Sequence, residues 1–455
     1  MRIVDTGRLI DEGSLNRLSV TLLILAFLTI FLDGFDLFAL SYAAPHILSE
    51  WAITNKAVMA PVFSSSLVGM LIGAPLCGLL ADRIGRKILV VVCCALIGLT
   101  TLLAVLTANL PQLLATRAIA GLGFGGIAPC LIALTAEYAP TRYRATMITV
   151  MYTGITAGAA AAGAVGAWLV PGHGWRILFE LGGLGALVMT IACMIALPES
   201  LRFLVSHRAS PARILRLVRR FDPTIPDDAI FPAPAVPAGP ALARRFAVRQ
   251  LFAGTLALLT PLMWTINVSI VMAYYAVSTW LPTLLSTLHR PASSAAAFAM
   301  IFQVGGALGG IALSRRIDKG HMTAIAWAFA VAMPLVLLIS VTATFDAALF
   351  ATVFLAGFSI MSVQFGINAI VAMAYPTSIR SLALGWSFAI SRIGAISGPL
   401  LVGAALEFGL AAQNSFAVAC LPLLTGLVAS VVLARVWKAP ASPAHAELLP
   451  GQAAQ

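Results

Sequence analysis

Charged residues are scarce in this sequence of 455 residues: they make up only 10% of it, whereas apolar residues make up 60%. Soluble globular domains are about 25% charged, so this composition excludes that class. The mean hydropathy of +0.98 points the same way. Strands of alternating apolar and polar residues are not found either, so we expect an integral membrane protein built from helices.

Cysteine and histidine are also few, and their positions do not indicate a metal or redox site. The cysteines lie within or at the edge of apolar runs, and none forms a pair with the spacing of metal ligands. The sequence also lacks a nucleophile with its base and a phosphate-binding loop. It therefore predicts neither an enzyme nor a bound metal or cofactor. The six cysteines are Cys77, Cys93, Cys94, Cys130, Cys193 and Cys420.

About twelve apolar runs are long enough to cross a bilayer, because a hydrocarbon core of about 30 Å takes about 20 helical residues. The first run follows polar residues and has no small-residue cleavage pattern behind it, so we predict a membrane helix rather than a signal peptide. The predicted spans are 20–44, 57–80, 88–108, 111–135, 145–170, 175–197, 251–286, 294–314, 323–343, 347–373, 382–408 and 412–436.

The net charge of +11 is distributed unevenly between the two ends of these spans. Most of the 28 Lys and Arg residues fall on the side that holds the N-terminus, and only Lys56, Arg176 and Arg290 fall on the other. By the positive-inside rule both termini are predicted to be cytoplasmic, which requires an even number of spans. The sequence thus predicts a multi-pass protein of the inner (cytoplasmic) membrane, whose positive charge meets the lipid bilayer and not a nucleic acid.

The apolar runs fall into two groups of six around a polar, proline-rich segment between Glu199 and Arg249. One short sequence recurs after the fourth span of each group, as APTRYR at residues 139–144 and YPTSIR at residues 375–380. The predicted fold is therefore all-α, with twelve transmembrane helices in two pseudo-symmetric six-helix halves. The predicted units are a cytoplasmic N-terminal segment at 1–19, a half at 20–198, a cytoplasmic linker at 199–250, a half at 251–436 and a cytoplasmic tail at 437–455.

The loop after the second span, GLLADRIGRK at residues 78–87, resembles the loop signature of the major facilitator superfamily. The resemblance implies a transporter in which charge contacts at this loop form in one conformation and break in another. A loop that only sets topology is the alternative. The loop after the eighth span is a degenerate copy. The expected gating residues are Asp82, Arg83, Arg86, Glu137, Asp318 and Arg380.

Within the superfamily, the sequence LDGFD at residues 32–36 resembles the D-G-x-D signature of the aromatic acid:proton symporter family. Further segments along the chain resemble that family as well, except in the central linker and the tail. The resemblance implies import of a small aromatic carboxylate, of the benzoate or hydroxybenzoate type, together with protons. It also implies that the protein is a monomer. No cofactor is expected, because the proton gradient drives transport.

Asp33 and Asp36 are the predicted proton-coupling residues, together with Arg117. An ionisable group near the bilayer centre carries a penalty of roughly 3 kcal/mol, so two carboxylates in one span need a compensating role. They stand at i and i+3 on one helical face, where low dielectric disfavours two charges. Arg117 cannot lose its charge and needs a carboxylate partner, either an aspartate or the substrate. A static ion pair or a polar cavity lining is the alternative, and either aspartate could carry the proton.

Apart from Arg435 at the very end of the last span, Arg392 is the only cation within the apolar runs of the second half. We predict that it anchors the substrate carboxylate through a bidentate contact. Gln364 and Asn368, one helical turn apart in the tenth span, are candidates for hydrogen bonds to ring hydroxyls, with interhelical contacts as the alternative. Trp386 and Tyr152 are candidate aromatic walls of the site, or else anchors at the membrane interface.

Together these features predict a secondary active transporter that imports an aromatic carboxylic acid with a proton by alternating access. A symporter for another organic acid or metabolite is the nearest alternative. From a different class, the same scaffold could be a membrane chemoreceptor that binds aromatic acids with little flux.

Overall fold

A computed structural model describes residues 10–11, 15–207, 210–221, 225–226, 248–318, 323–375 and 379–436. Within these ranges, twelve helices are long and apolar enough to cross a membrane, which confirms the predicted number. We number these helices in chain order: α1 Arg17–Glu50, α2 Met59–Ile84, α3 Arg86–Val105, α4 Leu110–Tyr138, α5 Thr141–Trp168, α6 Arg176–Ala196, α7 Leu256–Thr287, α8 Ala292–Asp318, α9 Thr323–Thr342, α10 Asp346–Ala374, α11 Arg380–Glu407 and α12 Cys420–Val436.

Short helical segments connect some of these helices. They are the helices Val170–His173, Leu201–Ser206 and Pro211–Val218 and the 3₁₀ turns Lys56–Val58, Val248–Phe252 and Ala412–Ala419. The first part of the predicted linker packs on the first half, where the ring of Phe221 stacks on Tyr138 with 5.9 Å between centroids. Most of the predicted N-terminal segment, residues 227–247 of the linker and the whole tail lie outside the described residues.

The helix ends follow from local sequence. α1 begins after Asn16, whose side chain accepts a hydrogen bond from the backbone N–H of Ser19 at 2.8 Å. α4 begins after Asn109, which accepts in the same way from Gln112 at 3.0 Å. Between α2 and α3 the chain turns at Gly85, whose φ of 96° lies in the region that favours glycine. These residues fix where the long apolar helices enter and leave the bundle.

The two halves repeat one packing scheme. In the first half α1 packs on α5, α2 on α4 and α3 on α6, and in the second half α7 packs on α11, α8 on α10 and α9 on α12. Glycines allow the closest approaches: a Cβ added at Gly158 would overlap the carbonyl oxygen of Phe31, between α5 and α1. The repeated pairing confirms the prediction of two pseudo-symmetric six-helix halves.

The halves contact each other through α1 with α7, α2 with α11 and α5 with α8. We call the end of the bundle where α1 begins and α12 ends the near end, and the opposite end the far end. At the far end Lys56 Nζ donates to Thr287 Oγ1 at 2.8 Å, which joins the two halves directly. The rings of Phe63 and Trp280 meet edge to face there, with 5.2 Å between centroids. The halves are thus closed on each other at the far end.

Candidate functional site

Asp36 forms a buried ion pair inside the first half. Its Oδ2 accepts from Arg117 Nη1 at 2.9 Å, and each side chain is only 1% exposed. Arg117 Nη2 also donates to Thr101 Oγ1 at 3.0 Å, and its guanidinium lies 5.0 Å from the centroid of the Phe179 ring. The pair therefore ties α1 to α3, α4 and α6. Breaking it would leave an uncompensated buried charge.

Asp33 has different surroundings, although it lies only three residues away on the same helix. Its Oδ1 is buried and has no hydrogen-bond partner within the described part of the chain. The carboxylate lies within electrostatic range of Arg392, which α11 contributes from the other half. It also borders a small cavity inside the first half, lined by Thr29, Leu32, Cys94, Ile97, Ile127, Ala186 and Met189.

Arg392 is half-buried between the halves. Its Nη1 lies 3.9 Å from the sulfur of Met70, and its guanidinium lies beside the hydroxyl of Tyr275. Tyr152, on α5, is within electrostatic range of both Arg392 and Asp33. Among the described residues no carboxylate reaches salt-bridge distance of this arginine. Its charge is therefore available to an anion between the two halves.

Aromatic rings from both halves stack next to this arginine. Phe38 on α1 stacks on Tyr275 of α7, with 6.2 Å between centroids and 12° between ring planes. Tyr274 meets Phe38 edge to face and donates a hydrogen bond to Gln303 Oε1 at 2.9 Å. These rings were not among the predicted site residues, although two adjacent tyrosines inside an apolar run are a signal that the sequence contains.

A chain of amides lies nearer the near end of the second half. Asn267 on α7 is fully buried, and its Nδ2 donates to the backbone oxygen and the hydroxyl of Ser387 at 3.1 and 2.8 Å. Gln364 Nε2 donates to Asn267 Oδ1 at 3.2 Å. The sequence prediction named Gln364 but missed Asn267, whose amide inside the seventh apolar run is a signal of the same kind. The side chain of Asn368, predicted beside Gln364, lies outside the described residues.

Trp386 precedes Ser387 on α11 and stacks on Trp264 of α7, with 6.2 Å between centroids. Trp264 precedes Asn267 by one turn. The two indoles therefore lie next to the amide chain, inside the second half.

Carboxylates at the near end of the first half hold the loop between α2 and α3. Arg86 pairs with Glu137, whose other oxygen accepts from Ser200 Oγ at 2.6 Å. Glu199 Oε1 accepts from the backbone N–H groups of Arg86 and Lys87 at 2.9 and 3.1 Å, which caps the first turn of α3. Glu199 was not among the predicted gating residues.

The other predicted gating residues make no contact that the structure describes at this loop. Arg83 is exposed at the end of α2. The side chains of Asp82, Asp318 and Arg380 lie outside the described residues, so these three remain sequence predictions.

Twelve helices in two similar six-helix halves are a plan shared by many membrane transporters. The chain belongs to the Major Facilitator Superfamily, whose sequence model matches residues 26–368.

Two curated relatives are similar over most of their length. The gallate transporter of Pseudomonas putida is 31% identical over 427 residues, covering 94% of each chain. The 4-hydroxybenzoate transporter PcaK of Pseudomonas aeruginosa is 32% identical, covering 89% of this chain and 90% of its own. The family resemblance found in the sequence is thereby confirmed, and both relatives are named as transporters rather than enzymes.

A solved structure of the xylose transporter XylE from E. coli, in a partially occluded inward-open conformation, matches with a TM-score of 0.68 at 18% identity. The match covers 92% of this chain and 97% of that one. At this identity the likeness supports the fold alone, and it agrees with the helical architecture described above.

Proposed function

We propose that the protein is a secondary active transporter that carries small aromatic carboxylates of the benzoate or hydroxybenzoate type together with protons. The observation that carries this proposal is Arg392, a cation between the halves that has no carboxylate partner among the described residues and lies beside Tyr275. A guanidinium binds a carboxylate in a bidentate manner, and neighbouring rings favour a flat aromatic ligand. Relatives named for gallate and 4-hydroxybenzoate support this substrate class.

Proton coupling in this proposal acts through Asp33 rather than Asp36. The charge of Asp36 is matched by Arg117 inside the first half, whereas Asp33 lies within electrostatic range of Arg392 of the other half. An ionised Asp33 would compete with the substrate carboxylate for Arg392. A proton on Asp33 removes that competition, so one proton and one carboxylate bind together.

Transport by alternating access would open the far end and close the near end. With the termini in the cytoplasm, as the positive charges of the sequence suggest, the far end faces the outside of the inner membrane. Opening that end requires the halves to separate at Lys56 and Thr287, which cross between them. We propose that a single chain, as a monomer, performs this cycle.

Uptake into proteoliposomes tests the proposal. We expect labelled 4-hydroxybenzoate to accumulate when the outside is acidic, and we expect a protonophore to abolish accumulation. Liposomes without protein are the control. Uptake that is indifferent to the proton gradient would reject coupling, and binding of the acid without any flux would favour the chemoreceptor.

A further inference from the structure

The hydrogen bonds of Asn267 fix the orientation of its own side-chain amide and of the half-buried amide of Gln364. A backbone carbonyl can only accept, so the contact of 3.1 Å with the carbonyl of Ser387 assigns Nδ2 of Asn267 to that side. Oδ1 of Asn267 must then face Gln364, which has to present its Nε2, at 3.2 Å. The carbonyl of Ser387 on α11 thus determines the orientation of the Asn267 amide, and that amide in turn determines the orientation of Gln364.

This arrangement leaves one acceptor free. Gln364 Oε1 is buried and has no hydrogen-bond partner among the described residues. A buried acceptor without a partner destabilises the protein, and only a donor removes that cost. Because both amide orientations are fixed, Gln364 cannot turn its own nitrogen toward a ligand without breaking the chain of bonds. The position therefore favours a ligand group that donates.

The amide chain and the predicted carboxylate anchor lie at neighbouring levels of the second half. Ser387 and Arg392 are five residues apart on α11, which corresponds to about 7.5 Å along the helix axis. The carboxylate carbon and a para hydroxyl oxygen of a benzoic acid are about 6 Å apart, and the hydrogen bonds at the two ends extend that reach. A planar acid held at Arg392 and directed toward the near end would bring that hydroxyl to the level of the amide chain.

We propose that Gln364 Oε1 accepts a hydrogen bond from a ring substituent of the substrate, so that the site selects aromatic acids with a donor at or near the para position. Asn267 and Ser387 are positioning residues, since they act on the substrate only through Gln364. The inference rests on the proposed function and deepens it by naming which aromatic acids bind best.

A ligand series on the wild-type protein provides the first test. Uptake of labelled 4-hydroxybenzoate is measured against unlabelled 4-hydroxybenzoate, 4-aminobenzoate, 4-methoxybenzoate and benzoate. The first two donate, the methoxy compound has an oxygen at the same place that only accepts, and benzoate has neither. We expect the donors to compete about five- to tenfold better than the other two. Equal competition by the methoxy and hydroxy compounds would overturn the inference.

Two matched variants provide the second test. Gln364→Met keeps the length of the side chain and removes the acceptor, so the preference for 4-hydroxybenzoate over benzoate should fall toward one. Gln112→Met removes an exposed glutamine at the start of α4, outside the site, and should leave the preference unchanged. If the preference for 4-hydroxybenzoate over benzoate fell equally in both variants, the role of Gln364 Oε1 as the acceptor would be contradicted.

Both readouts are ratios within one protein, so they do not depend on expression level, and the ligand series remains decisive if a variant does not fold. The outcomes also separate the two proposals. A wild-type protein that takes up no aromatic acid would reject the proposed function. Uptake of all four acids with equal preference would reject only the role of Gln364.

Discussion

Asp33 and Asp36 show how neighbouring positions on one helix acquire different chemistry. Asp36 forms a salt bridge with Arg117 inside the first half, whereas Asp33 lies within electrostatic range of Arg392, which lies across the interface. The charge of Arg117 is thus matched inside the first half, whereas Arg392 has no carboxylate at salt-bridge distance among the described residues. We therefore expect substitution of Asp33 to affect proton coupling and substitution of Asp36 to affect stability.

Asp33→Asn should abolish accumulation against a gradient and leave exchange of substrate across the membrane. The amide mimics a permanently protonated carboxyl, so Arg392 stays available to the substrate while no proton is carried. Counterflow and proton-driven uptake, measured side by side, check this. Asp346→Asn, which removes an exposed carboxylate outside the site, serves as the control. Full accumulation by Asp33→Asn would reject the proton role.

Asp36→Asn should instead lower stability, because it leaves Arg117 buried without its counter-charge. Removing one partner of a buried pair typically costs about 3 kcal/mol or more. The thermal midpoint of the purified protein in detergent measures the effect. The double variant Asp36→Asn with Arg117→Gln, which has neither charge, should recover part of the loss. An unchanged midpoint in the single variant would show that the pair is not structural.

The sequence identified both aspartates, Arg117 and Arg392 as candidates, because charges inside apolar runs are recognisable without a structure. It could not assign Arg117 to one of the two aspartates, since both lie on the same face of α1. The partner depends on how α3, α4 and α6 pack around that face. The aromatic pair of Phe38 and Tyr275 was missed for a similar reason, because aromatic residues in an apolar span look alike until two helices meet.

At the scale of elements, the turn between α2 and α3 depends on Glu199, which lies more than a hundred positions further along the chain. Its carboxylate accepts from two N–H groups at the start of α3, where a negative charge also interacts favourably with the helix dipole. A Cβ at Gly85 would overlap this carboxylate, so the glycine leaves room for the cap. The turn at Gly85 and the carboxylate of Glu199 therefore depend on each other for their geometry.

Glu199→Gln should destabilise the capped turn by about 1 kcal/mol, because both N–H groups donate to one oxygen and the amide oxygen that replaces it has no negative charge. Faster limited proteolysis at the near end and a lower thermal midpoint are the expected results. Glu407→Gln, at the exposed end of α11, should change neither. Equal protease resistance of the two variants would mean that the cap does not hold the loop.

Helix number and the duplication were predictable from apolar runs and one repeated sequence, because membrane-spanning length is set by the bilayer. Which faces meet was not predictable in the same way. The pairing of α1 with α5 depends on glycines such as Gly158, and many glycines along these spans look equivalent in the sequence. Their importance appears only where another backbone lies opposite.

At the scale of the whole molecule, the two halves are joined at the far end, and α5 meets α8 across the interface there. A Cβ added at Gly166 would lie 3.2 Å from the Cβ of Ala296, and disulfides join Cβ atoms about 3.5 to 4.5 Å apart. A small adjustment of the two helices would allow a bond. A cross-link at this position would hold the far end closed.

The double variant Gly166→Cys with Ala296→Cys should therefore lose most of its uptake when oxidised and regain it when a reductant is added. The far end must open in each cycle if the halves rock about the central site, and a covalent bond between α5 and α8 prevents that separation. Each single variant, oxidised in parallel, controls for the six native cysteines, which are buried or half-buried. Full uptake by a completely cross-linked protein would mean that α5 and α8 stay together throughout the cycle, and substrate would then have to pass between other helices.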